Sequence, residues 1–282
     1  MVRLTTIVTI FILLSGCEDP ITIDLPENQN SIVIEGWITN IDQQQIIKIS
    51  RTRKFDESQP GEIISDAFVS VIQDTITYIF THQEEGTYLS ERNFSGTEGD
   101  FFGLQIILSE GDTIRSKTFE RMPETVALDS ISFDFFEQNS EIEPGQIDRI
   151  YFPVTFSSDP FSRSNFYRYV ISRNDTVFNT PQDIELLDDR AINGNEFRNE
   201  FRTFNYLDGD KVTIELRSIN RGAFDFFELL RNQSTSLGTS SGTSPASIDG
   251  NLENISDSEQ TVLGYFSCFA VSSQERILDT GQ

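Results

Sequence analysis

From Ser31 onward the apolar residues recur at every second position in short runs, and that period decides the fold class. Ile32, Ile34, Gly36 and Ile38 alternate with Val33, Glu35 and Trp37, and Ile46-Ile47-Lys48-Ile49 follows after a polar loop. Successive side chains of an extended chain point to opposite faces, so such a run buries one face of a strand. Further strand candidates lie at 67–73, 75–81, 86–89, 101–108 and 112–119, with turn chemistry between them at Glu84-Glu85-Gly86 and Ser109-Glu110-Gly111-Asp112. The pattern predicts an immunoglobulin-like or transthyretin-like β-sandwich over residues 31–122.

Arg121-Met122-Pro123-Glu124 reads as a boundary. Beyond it, strand patterns recur at 127–136, 149–157, 166–173, 176–178, 211–219 and 261–272. The chain is thus predicted to be mainly β, with residues 126–282 a larger β-sandwich or open barrel carrying one helix. That helix is read at 221–233, where Phe224, Phe227 and Leu230 recur at a spacing of three with Ala223 and Phe226 adjoining. Asn220 is positioned to cap it. The following residues, 234–250, are rich in Ser, Thr and Gly and read as a loop. The helix and this loop are the expected docking surface, although a helix that plugs one open end of the β domain fits the same pattern.

The N-terminus carries a different signal. Arg3 precedes a mostly apolar run from Leu4 to Leu14, too short for the roughly 20 residues a membrane span needs but suited to a signal peptide. Leu14-Ser15-Gly16-Cys17 resembles the bacterial lipobox. Residues 1–16 are therefore expected to be removed, leaving Cys17 as the site of lipidation by diacylglycerol and palmitate-type acyl chains. Residues 17–30 are acidic, with Pro20 and Pro26 opposing helix, and read as a tether. Glu18-Asp19 resembles a surface-export signal, and a plain acidic tether is the alternative. The expected location is the outer membrane, lipid-anchored and facing the cell exterior.

Of the two cysteines, lipidation leaves Cys268 alone in the apolar run Tyr265-Phe266-Ser267-Cys268-Phe269-Ala270-Val271, where it reads as a small buried hydrophobe. The formal net charge of -24 opposes binding to phosphate backbones and to anionic lipids, so no nucleic-acid partner is expected and the lipid must supply the anchoring. With 37% hydrophobic residues and 24 Phe, the chain has enough apolar area for a core despite that charge.

Catalytic signals are sparse. His82 is the single histidine, which excludes a multi-His metal site, and neither a phosphate-binding glycine loop nor a GxSxG elbow occurs. No catalytic residues, no cofactor and no enzymatic activity are expected. Asp188, Asp189 and Asn193, with Asn195 and Gly194, offer hard oxygens that could hold calcium, though a solvated acidic turn has the same composition. Asp74-Thr75-Ile76, Asp112-Thr113-Ile114, Asp129-Ser130-Ile131 and Asp175-Thr176-Val177 resemble O-glycosylation acceptors and equally resemble hairpin turns entering strands. Phe133, Phe135 and Phe136, with Phe224, Phe226 and Phe227, could stack on sugars or peptides, but core packing is the expected fate of most.

Leu25-Pro26-Glu27, Ile34-Glu35-Gly36-Trp37-Ile38, Asp66-Ala67-Phe68-Val69-Ser70-Val71 and Gly86-Thr87-Tyr88 form an ordered set of landmarks. They continue through Asp129-Ser130-Ile131, Asp159-Pro160, Asn165-Phe166-Tyr167-Arg168, Asp189, Asn193-Gly194 and Gly209-Asp210 to Asp249-Gly250-Asn251 and Leu263-Gly264-Tyr265-Phe266. In this order they resemble a family of Bacteroidota lipoproteins described only as a domain of unknown function, DUF4249. The resemblance implies a surface accessory of a TonB-dependent outer-membrane receptor, acting in ligand capture or uptake, and carries over no catalytic or ligand residues. A stand-alone adhesin or glycan-binding module is the second expectation and an extracellular hydrolase the third.

Overall fold

The computed structural model describes residues 31–52, 62–140, 145–161, 163–203, 205–236, 248 and 250–281. The signal peptide (1–16), Cys17, the rest of the tether (18–30) and most of the Ser/Thr/Gly-rich run lie outside the described residues.

The chain is mainly β, as its period predicts. In order, the elements are β1 (Ile32–Thr39), β2 (Ile46–Arg51), β3 (Phe68–Gln73), β4 (Ile76–His82), β5 (Thr87–Ser90), β6 (Phe101–Ile107), β7 (Thr113–Ser116) and β8 (Glu120–Arg121). Then come β9 (Leu128–Asn139), β10 (Ile147–Ser158), β11 (Phe166–Arg173), β12 (Thr176–Phe178), β13 (Glu185–Asp188), β14 (Glu196–Glu200) and β15 (Lys211–Ile219). Helix α1 (Arg221–Ser236), β16 (Leu252–Asn254) and β17 (Val262–Ile277) complete the chain. Turn chemistry sets the hairpins: Asn174 and Asp175, joining β11 to β12, have φ of 50° and 65°, as a two-residue I′ turn requires. Asp74, between β3 and β4, has φ 50°.

One 14-stranded sheet runs through the molecule in the order β12-β11-β15-β17-β1-β2-β5-β4-β3-β6-β7-β16, with β13 beside β11 and β8 beside β6. A second sheet, β14-β10-β9, has three strands. The boundary read at residues 121–124 is crossed by the large sheet. β17 lies parallel to β1, pairing Ile32 with Val262 through Thr39 with Phe269, while its C-terminal half pairs antiparallel with β15. Every other strand pairing described is antiparallel.

Three apolar clusters follow from this layout. The first is enclosed by β1–β7 and takes in Leu252, Val262, Phe266, Cys268 and Ala270 from the C-terminus. The second fills the space between the small sheet and one face of β11 and β15, with Tyr167, Tyr169, Ile214, Leu216, Phe197 and Phe201. The third lies on the opposite face, under α1, where Ala223, Phe224 and Phe227 pack on Ile219, Tyr265 and Phe269. The C-terminal part is thus a sandwich with a helix on its outer face. The Phe-bearing side of α1, read above as a docking surface, is buried against the sheet instead. The Asn220 side chain, read above as the helix cap, also reaches the neighbouring strand: its Nδ2 donates to Glu120 Oε2 at 3.1 Å and to Arg121 O at 2.9 Å, tying the helix start to β8.

Candidate functional site

The landmark residues of the sequence meet in space, and most of them build the fold. At the β1–β17 seam, Gly36 leaves room for the Phe266 ring, since a Cβ there would sit 2.8 Å from Phe266 Cδ2. Gly264, at φ 93°, lies so close to β1 that a Cβ would come within 1.9 Å of Ile34 O. Asn251 spans the same place: its Nδ2 donates to Phe266 O at 2.6 Å and to Glu120 Oε1 at 3.0 Å, and its Oδ1 accepts from Phe266 N at 3.0 Å. Glu120 also accepts from Ser267 Oγ at 3.0 Å. Far from this seam, Tyr88 Oη donates to Ile64 O and accepts from Ala67 N, both at 3.1 Å.

A third knot joins β10 to β11. The Asp159 carboxylate accepts from the Tyr167 hydroxyl and, at 3.0 Å, from Gly194 N. Burial and then Asp159 hold the Tyr167 phenol far above its ordinary pKa. Asn165 N donates to Asp189 Oδ2 at 2.8 Å. The residues read as calcium ligands belong to this region and already have protein partners. Asp188 accepts from Arg190 N at 3.2 Å and Arg190 Nε at 2.8 Å, with its carboxyl held below the usual range chiefly by that side-chain bond. Asn193 engages through its backbone, donating to Asp189 O at 2.8 Å and accepting from Asn195 Nδ2 at 2.9 Å. Among the described residues no three His, Cys, Asp or Glu side chains group as a metal site.

His82 ends β4 and meets Tyr88 edge-on at 5.3 Å, and among the described residues its buried Nε2 has no hydrogen-bond partner. Cys268 is buried, and burial followed by the nearby Glu120 raises its thiol well above the ordinary value. Of the four Asp-Ser/Thr segments, Thr75, Ser130 and Thr176 are exposed.

Three surfaces remain. The first is the distal part of the β9–β10 ribbon, residues 134–139 opposite 147–152, which among the described residues pair with each other and with no further strand except at the Tyr151–Tyr206 bridge. Phe135, Phe136 and Ile147 on it are 42%, 37% and 61% exposed, and Arg149 lies 4.8 Å above the Phe135 ring. The second is an open cleft of about 410 Å³ lined by Asp129, Phe156, Ser157, Glu196 and Arg198. The third is a ledge beside α1. Trp37 stacks between Phe227 at 5.1 Å and Phe269 at 4.6 Å, while Arg168 lies 4.1 Å over Phe227 and Arg217 lies 5.2 Å from the Phe269 centroid.

The family model of DUF4249, a domain of unknown function, matches residues 18–275, nearly the whole chain. The protein belongs to the DUF4249 family. No curated protein matches it. The DUF4249 match starts directly after Cys17 and ends within β17, so it spans both sheets and the seam between them. No helix among the described residues of this DUF4249 chain is long and apolar enough to cross a membrane. Of its surface features, Phe135 and Phe136 were visible in the sequence as an aromatic run, whereas the pairing of Arg168 with Arg217 was not. A signal existed: both arginines fall on the alternating polar positions of well-marked strands, but only the register of β11 against β15 places them side by side.

Proposed function

We propose that this DUF4249 protein is a lipid-anchored protein of the outer-membrane surface that acts by binding rather than catalysis, docking on a TonB-dependent receptor to aid ligand capture or uptake. The β9–β10 ribbon carries this reading. Phe135 and Phe136 make ring contacts with Tyr151 and Phe152 yet, with Ile147, stay partly in solvent on an extended two-stranded arm, and aromatic residues with a neighbouring arginine are the usual anchors of protein interfaces. The Leu14-Ser15-Gly16-Cys17 motif supports the anchor. Tethering to the same membrane raises the effective concentration of a transporter partner, so modest intrinsic affinity suffices.

Affinity capture of the tagged native protein from detergent-solubilised outer membrane tests it. The wild type should bring down a β-barrel transporter, and Phe135→Ser/Phe136→Ser should lose it while melting normally. If the native protein captures no such transporter, the receptor reading is wrong. The cleft at Phe156, with Asp129, Glu196 and Arg198 around it, favours a glycan-binding module as the second reading.

A further inference from the structure

The ledge beside α1 holds a cation that the protein itself leaves incompletely matched. The chain has 45 acidic and 21 basic residues, so carboxylates are plentiful. Arg217 has one: its Nη2 and Nε lie 2.6 and 2.8 Å from Glu215 Oε2. Arg173 and Arg276 each donate to a backbone carbonyl instead, Asn205 O at 3.0 Å and Ile131 O at 2.7 Å. Arg168 has neither kind of partner among the described residues. Its Nε is shut off from solvent without an acceptor, and its guanidinium rests on the face of Phe227.

Arg168 is also the register partner of Arg217 across β11 and β15, so the two side chains leave the sheet on the same face. Like charges placed directly opposite destabilise a strand pair, and a largely desolvated cation without an acceptor does so further. Burial, then Arg217, lower the Arg168 pKa to about 10, while Glu35 and Glu215 oppose the shift, so the group is still charged at neutral pH. Stacking on Phe227 offsets part of this. It leaves the hydrogen-bonding fork unused.

We infer that Arg168, with Arg217 beside it, is a binding site for the carboxylate of a small monoanionic ligand with an apolar body. A planar guanidinium matches a carboxylate in bidentate geometry. Two further features select the charge. Glu215 and Glu35 lie within electrostatic reach of Arg168, and the chain carries a net charge of -24, so a dianion such as phosphate is repelled where a single charge is tolerated. An apolar body suits the half-buried Trp37 and Val271, which lie over the buried Phe227 and Phe269. This inference does not depend on receptor docking, because the β9–β10 ribbon and the ledge share no residue.

Trp37 is the single tryptophan of the chain and stacks on Phe227 and Phe269, so its fluorescence reports on this ledge alone. The purified full-length protein is titrated with benzoate and, separately, with inorganic phosphate at matched ionic strength and at a mildly alkaline pH where phosphate is a dianion and Arg168 is still charged. Benzoate should change the Trp37 emission saturably and phosphate should not. Arg168→Gln should raise the benzoate midpoint tenfold or more, and Arg168→Lys, which keeps charge but lacks the fork, severalfold. Arg217→Gln provides the same test if Arg168→Gln does not fold. No saturable response to benzoate in the wild type overturns the inference. So does an unchanged midpoint in a variant that melts like the wild type, or a phosphate midpoint as low as that of benzoate.

Discussion

Truncating Phe266 to alanine removes the side chain that joins the two halves of the chain. Phe266 is 0% exposed, stands opposite Gly36 in the parallel β1–β17 ladder, 230 residues further along the chain, and lies in the cluster enclosed by β1–β7. Gly36 cannot refill the space, and Asn251 holds the Phe266 backbone from both sides, so the cavity has little freedom to collapse. Truncation of a fully buried Phe costs about 3–5 kcal/mol when the site cannot relax. At roughly 2–4 °C per kcal/mol for chains of this size, the melting temperature should fall by about 6–20 °C. Calorimetry and far-ultraviolet circular dichroism measure it. Because β17 lies inside one sheet, between β15 and β1, and so joins its two halves, the whole unfolding transition should move. Two transitions of which only the later one shifts, or a total shift below about 2 °C, would refute the reasoning that the seam couples the two halves.

Gly264→Ala should be still more damaging, because its φ of 93° and the 1.9 Å approach to Ile34 O leave no place for a Cβ; soluble yield and melting temperature both report it. Cys268, buried and with its thiol pKa raised well above the ordinary value, should resist alkylation in the folded protein and react only after denaturation. Rapid labelling of the native state would contradict that placement. Cys17→Ala should abolish acylation, which intact-mass analysis of the mature protein checks directly.

Local periodicity was enough to place β11 and β15 at their observed bounds and to find α1, because each is decided by side chains within one element. The hairpin between β11 and β12 was equally legible, since Asn174 and Asp175 tolerate positive φ. The β1–β17 pairing was not: nothing near Ile34 announces a partner near Gly264, and the glycines that permit the close approach look locally like turn residues. The short strands β8, β13, β14 and β16 are too brief to show a period. At the candidate surfaces the difficulty is one of sidedness. Phe224 and Phe227 fill the space under α1, whereas Phe135 and Phe136, in an equally apolar run, project from a ribbon that outgrows its sheet. The calcium reading saw the oxygens of Asp188 and Asp189 but not the Arg190 and Asn165 N–H groups that occupy them.

The central functional claim is that the β9–β10 arm touches a transporter, and contact is measured most directly by cross-linking from that arm. Cys268 is buried and Cys17 is expected to be acylated, so Gln138→Cys, at an exposed position of the same arm that keeps Phe135 and Phe136, introduces a single reactive thiol that can carry a maleimide benzophenone. The labelled protein is returned to solubilised outer membrane, illuminated, and its adducts are identified by mass spectrometry. The account predicts adducts with a β-barrel TonB-dependent receptor, absent when the same label is placed at Thr75→Cys on the far hairpin. Adducts to the receptor from Thr75→Cys but not from Gln138→Cys, or no receptor adduct from either position, would contradict it.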